Sequence, residues 1–249
     1  MNLFNENNVV HICMNMIGDI VLANLLFILC SIPIITIGPS LTALYHCMLR
    51  TVKGNNNGTI KTFFKAFKDN FFQSLLIWIL FLFVLLVLLL NIRFLSHTGS
   101  SMSKILLYLS FACALLLVIE FLYIFPVIAA FSGTIKNHLK NALLFAVMHF
   151  PSTLLILVVS LLPMYMTYQD LKLMPLYATC WFFFGFGLTA YINSKLFYRM
   201  FKPYLGEEDD DITADENFSI DVDKADGLVE LLNSKDENLF LFRAANEVD

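Results

Sequence analysis

SIPIITIGPSLTALY, residues Ser31–Tyr45, closes one apolar segment and opens another. Proline has no N–H to donate and clashes with the turn before it, so Pro33 and Pro39 bend or stop a helix. Gly38 between them is expected to take a backbone conformation that a branched residue resists. From Leu41 a second helical pattern leads to Arg50 and Lys53. The chain is therefore expected to leave an apolar layer here and turn along its surface.

Composition says what that layer is. Of 249 residues 58% are hydrophobic and only 14% charged, with 25 phenylalanines. A soluble domain has roughly 45–50% apolar and about 25% charged residues. With several apolar runs near 20 residues, the solvent for most of this chain is a bilayer. The net charge of −4 hides a segregation: after Leu205 about 15 acidic residues face three basic ones, roughly −12, and the remainder carries roughly +8. The five cysteines are scattered, without C-x-x-C or zinc-ligand spacing, and read as small membrane-core residues. No basic n-region or small-residue cleavage site precedes the first apolar run, so that run is expected to be kept as a helix.

Five membrane spans are expected, over residues 9–37, 71–95, 104–131, 151–168 and 176–201, forming an all-α polytopic membrane domain over 1–205. Residues 206–249 form an acidic tail, in which Asp226–Leu232 reads as a short helix. Between spans lie two amphipathic helices. In the first, Ile60, Phe63, Phe64, Phe67 and Phe71 share one face, opposite Lys61, Lys65 and Lys68. The second sets Ile135, Leu139, Ala142, Leu143 and Ala146 against Lys136 and Lys140. Aromatic or aliphatic residues below and lysines above describe helices lying in the headgroup plane. The two units echo each other: Thr59-Ile60-Lys61 leads to Ser74-Leu75-Leu76-Ile77, and Thr134-Ile135-Lys136 leads to Thr153-Leu154-Leu155-Ile156. Lysines and arginines concentrate in both linkers and after the last span, which predicts cytoplasmic elbows and C-terminus with the N-terminus outside.

Within this frame, Asn24-Leu25-Leu26, Ser31–Gly38 and Ala43-Leu44-Tyr45, followed by Phe63–Ser74, resemble the YesL-like family of bacterial integral membrane proteins. Pro33, Thr36, Gly38 and Tyr45 carry the core of that resemblance. It implies a small polytopic protein of the bacterial cell membrane with no assigned activity. It further implies association with carbohydrate-uptake ABC transporter subunits or a membrane sensor kinase. The acidic tail lies outside the resemblance.

Polar residues inside the apolar runs are the candidates for chemistry, because ionisable groups at membrane depth are costly and mark pathways or relays. Asp19 lies on a polar stripe with His11, Asn15 and Gly18 at helical spacing, and Asn24 follows one turn later. Glu120 sits near the middle of a long apolar helix, three residues from Tyr123. Against a site of Asp19, Asn24, Glu120 and Tyr123 stands a structural reading: an interface-level aspartate and a carboxyl that is protonated or bonded to tyrosine. The histidines near the elbows, His46, His138 and His149, are expected to be solvated. No nucleotide-binding glycine loop, H-E-x-x-H or G-x-S-x-G occurs, so neither an enzyme nor a cofactor is expected. The few lysines accompany no nucleic-acid-binding fold. Two classes follow: a non-catalytic accessory to carbohydrate uptake, or a small transporter or channel using Glu120 and Asp19.

Overall fold

The computed structural model describes residues 9–54, 58–97 and 101–204. The first eight residues, the centres of the Gly54–Gly58 turn and the Ser96–Ser103 link, and segment 206–249 with Asp226–Leu232 lie outside the described residues. Nine α-helices and no strand occur among the described residues: α1 (Val9–Cys30), α2 (Ile37–Lys53), α3 (Thr59–Asp69), α4 (Phe71–Ser96), α5 (Ser101–Ala130), α6 (Ile135–Met148), α7 (Phe150–Gln169), α8 (Met174–Cys180) and α9 (Phe186–Phe201). A π-helical turn, Trp181–Gly185, joins α8 to α9. Four runs are long and apolar enough to cross a membrane, Phe71–Ser96, Met102–Ala130, Phe150–Gln169 and Met174–Tyr204, and Met14–Cys30 adds a shorter apolar helix. Their outer faces expose Phe83, Leu86, Leu115 and Leu161, which suits hydrocarbon. The all-α polytopic architecture is as expected.

The first apolar run ends earlier than its hydropathy implies. α1 stops at Cys30 rather than continuing to Ile37, and Pro33 leads in extended conformation into a short 3₁₀ turn, Ile34–Thr36. The Thr36 hydroxyl lies 2.6 Å from the Cys30 carbonyl and 2.8 Å from that of Pro33, so it caps groups the helix end leaves open. Trp78 Nε1 donates to the Ile34 carbonyl at 2.8 Å, tying the turn to α4. Non-helical backbone in an apolar setting persists only when its polar groups are satisfied this way.

α2 does not run along a surface; it is the centre of the bundle. Ten of its 17 residues are buried, and α1, α3, α4, α5 and α9 all pack on it. Gly38, Ser40, Thr42 and Ala43 make this possible, since small side chains let neighbouring backbones approach. A Cβ on Gly38 would stand 2.6 Å from Trp78 Cβ and 2.7 Å from the Ser74 carbonyl. The glycine is thus needed for close approach; positive φ occurs instead at Gly54 and Gly58, which flank the following turn.

The sequence echo has a spatial counterpart. α3 and α4 are separated by Asn70 alone, and α6 and α7 by His149 alone. Four residues after each hinge a buried hydroxyl reaches back to an earlier helix: Ser74 Oγ lies 2.8 Å from Thr42 Oγ1 on α2, and Thr153 Oγ1 lies 2.7 Å from the Tyr123 hydroxyl on α5. Three residues further, Ile77 and Ile156 are both buried. Hence α2–α3–α4 and α5–α6–α7 are two helix–elbow–helix units of like construction. Only part of each apolar face packs on the bundle, the rest being left for lipid. α3 buries Phe63 and Ala66 while Ile60 and Phe64 stay exposed; α6 buries His138, Ala142, Phe145 and Ala146 while Leu143 is exposed. Lys61, Lys65, Lys68, Lys136 and Lys140 are all exposed, as amphipathicity requires.

α1 and α9 run in opposite directions. The Tyr191 hydroxyl meets Met16 Sδ at 2.9 Å, Gly187 packs on Ile20 and Asn24, and the rings of Phe27 and Phe186 lie 5.1 Å apart. The start of α1 therefore lies toward the end of α9 that leads to Tyr204. A lone first crossing, as the charge count assumed, would separate these two ends.

Candidate functional site

The four intramembrane polar candidates do not converge on one point. Asn24 is fully buried and spends its whole amide on backbone. Its Nδ2 donates to the carbonyls of Phe182 at 2.7 Å and Trp181 at 3.2 Å, and its Oδ1 accepts from Gly187 N at 2.8 Å. A π turn shifts the hydrogen-bond register by one residue and leaves main-chain groups without helical partners. One carboxamide supplies the two donors and one acceptor needed there. Gly187 permits the approach, because a Cβ would come within 2.7 Å of the Ile20 carbonyl.

Asp19 is half-buried and accepts a hydrogen bond from the Thr59 hydroxyl, at the first residue of α3. α3 has no acidic residue in its own first turn, so Asp19 supplies from α1 the negative charge that a helix start favours. Its second oxygen is buried without a partner among the described residues.

Tyr123 is fully buried, and its hydroxyl goes to Thr153 rather than to Glu120. Thr153 Oγ1 in turn contacts the Ala146 carbonyl at 2.7 Å, so the threonine donates to that carbonyl and the tyrosine donates to the threonine. The tyrosine-bonded form of that carboxyl is therefore not what the structure shows. Both Glu120 oxygens are buried and have no partner among the described residues.

Two further polar residues of this region were not singled out from the sequence. Asn193, fully buried on α9, donates to Ser160 Oγ on α7 at 2.9 Å and lies at the Tyr45 side chain. A lone asparagine within the last apolar run was the available signal. The ring of Phe197 packs edge-on against Tyr123 and Tyr45, at 5.1 and 6.0 Å. Glu120 on α5 and Asn193 on α9 each lie one turn from this aromatic layer, on the same side of it by chain direction.

One of the elbow histidines, expected to be solvated, is withdrawn from solvent. His138 is 1% exposed, and neither ring nitrogen has a hydrogen-bond partner among the described residues. Burial pulls its pKa down to about 4, with the Gly133 backbone pulling weakly the other way. His46 Nδ1 lies 3.0 Å from the Ala129 carbonyl, and His149 is half-buried. Among the described residues no three His, Cys, Asp or Glu side chains gather as metal ligands.

No curated protein and no solved structure matches the chain. One family model does, and it spans α1 from Ile20 through most of α4, the part of the molecule that holds the capped turn, the central helix and the first elbow. The model is that of a YesL-like family described as Protein of unknown function, DUF624, and it matches residues 20–92, less than half of the chain.

Proposed function

We propose that this chain is a non-catalytic protein of a bacterial cell membrane, accessory or regulatory to carbohydrate uptake by an ABC transporter or its sensor system. The observation that carries the reading is how the intramembrane polar groups are used. Asn24 is committed to the π turn, Asp19 to the start of α3 and Tyr123 to Thr153, each a bond between helices. Side chains so engaged hold a bundle together and are not free to bind and release a solute. The carbohydrate-uptake setting is what the sequence resemblance implies; the matched family is itself of unknown function. The basic residues at the elbows and after α9 assign that side to the cytoplasm. Because α1 opposes α9, this reading sets the start of α1 on that same side, in place of the external N-terminus expected from the charge count.

A second reading, a small transporter or channel, rests on Glu120, whose two oxygens lack a partner among the described residues and which lies one turn from the aromatic layer, on the same side as Asn193. Sugar-dependent uptake in cells carrying Glu120→Gln or lacking residues 206–249 separates the two. Glutamine keeps shape and hydrogen-bonding capacity and removes only the ionisable proton. The accessory role expects uptake within about twofold of wild type for Glu120→Gln, since a neutral side chain is less costly at membrane depth. It expects a clear loss on removing the acidic segment, whose composition suits a solvated contact with a partner. Loss of uptake in Glu120→Gln with a silent deletion overturns it in favour of transport.

A further inference from the structure

Between α4 and α5 lies a cleft of about 200 Å³ lined almost wholly by apolar groups, among them Ile77, Leu80 and Val84 on α4 and Leu117 and Phe121 on α5. Both walls belong to membrane-crossing runs. From Ile77 to Val84 the cleft follows two turns of α4, about 10 Å along the helix axis. Its end nearest the elbows is formed by Leu139 of α6. A groove of this form inside hydrocarbon fits a lipid tail and no polar solute.

What distinguishes this groove from an ordinary lipid-facing surface is the charge at its mouth. Leu139 is flanked by Lys136 one turn before it and Lys140 directly after it, both exposed. Neither lysine pairs with an acidic group among the described residues, and α6 contains no Asp or Glu. Helices usually carry acidic residues in the first turn, where the dipole is positive; α6 places Lys136 there instead. Its first turn thus adds a positive dipole end to two lysine charges, at the position where a tail held in the cleft would present its headgroup. Basic clusters beside membrane helices attract anionic headgroups by this means.

We propose that the α4–α5 cleft is a binding site for one phospholipid with an anionic headgroup, its acyl chain between Leu80 and Leu117 and its phosphate at Lys136 and Lys140. The site is independent of the accessory reading, because it uses none of Asp19, Asn24, Glu120 or the acidic segment.

The test uses the full chain in nanodiscs containing equal parts of phosphatidylglycerol and phosphatidylethanolamine. Transfer to mild detergent and washing remove loosely held lipid, and native mass spectrometry then counts the lipid retained. The wild-type chain is expected to keep one phosphatidylglycerol in clear preference to phosphatidylethanolamine. The double substitution K136Q/K140Q touches only exposed positions and leaves the fold intact. It is expected to reduce that preference about thirty-fold, from roughly 0.7 logarithmic unit per lysine near an anionic surface. Leu80→Trp fills the cleft from its exposed rim and is expected to abolish retention of either lipid. Val84→Trp does so from the inside, and a wild-type elution volume on size exclusion identifies which of the two is folded. Equal retention of the two lipids by the wild type, or an unchanged preference in K136Q/K140Q, overturns the proposal. Undiminished retention in a folded cleft-filling variant does so too.

Discussion

Asn24 is the residue whose role depends most on the fold. In sequence it is a small polar side chain in an apolar run, grouped with Asp19 because both interrupt hydrophobicity. In the structure it is the clamp of a π turn 157 residues away, bonded to Trp181, Phe182 and Gly187. Its value follows from what its removal leaves behind: two carbonyls and one N–H with no water to replace it. Each buried group left unpaired costs about 1–3 kcal/mol, so Asn24→Leu is expected to destabilise the chain by roughly 3 kcal/mol. Asn24→Asp is expected to be worse, because it points a charged acceptor at two carbonyls. Thermal unfolding in detergent measures both, and an Asn24→Leu protein melting with the wild type would rule out the clamp. Glu120 shows the complementary case. Its depth was legible from flanking apolar residues, but its lack of a partner was not, since Tyr123 had a better-placed acceptor in Thr153 on another helix.

At the scale of the element, amphipathic patterns predicted both elbow helices and their exposed lysines, yet did not show that His138 of α6 would face the bundle. The pattern put Leu143 on the lipid-facing side and left His138 to solvent; the structure exposes Leu143 and buries His138. Periodicity fixes which residues share a face but leaves the angle at which that face meets its neighbours open, and α6 is rotated so that His138, Ala142 and Phe145 point inward. This burial has a pH consequence. The ordinary histidine pKa is about 6.5, whereas His138 in the folded chain protonates only near 4. Below pH 6.5 the unfolded chain takes up a proton that the folded chain refuses, so stability is full above that pH and falls as pH drops toward 4. Between pH 7.5 and 5 the loss is expected to be about 2 kcal/mol. Chemical unfolding at the two pH values reads it, and His138→Leu is expected to flatten the slope. An unchanged slope in that variant would place the titration elsewhere.

For the whole molecule, the decisive relation is between its two described ends. The opposed packing of α1 and α9 places the start of α1 with the end of α9, so both should be reached from one side of the membrane. Single cysteines at Asn8, Gly58 and Gly206 are expected to react with a membrane-impermeant thiol reagent only after cells are opened, and one at Gly99 from outside. Labelling at Asn8 in intact cells, with Gly206 protected, would break the arrangement. The sequence by itself determined the membrane setting, the all-α architecture, the four long spans and the two basic elbows. These follow from composition, run length and local periodicity, which need no knowledge of neighbours. Only the tertiary structure decided that α1 ends at Cys30, that α2 is the centre of the bundle and that the polar residues serve separate contacts. In lipid, exposed and buried faces are equally apolar, so hydrophobic pattern does not say which helix lies inside. That is settled by small residues that admit a neighbour, Gly38 and Gly187, and by hydrogen bonds that close only between helices far apart in the chain.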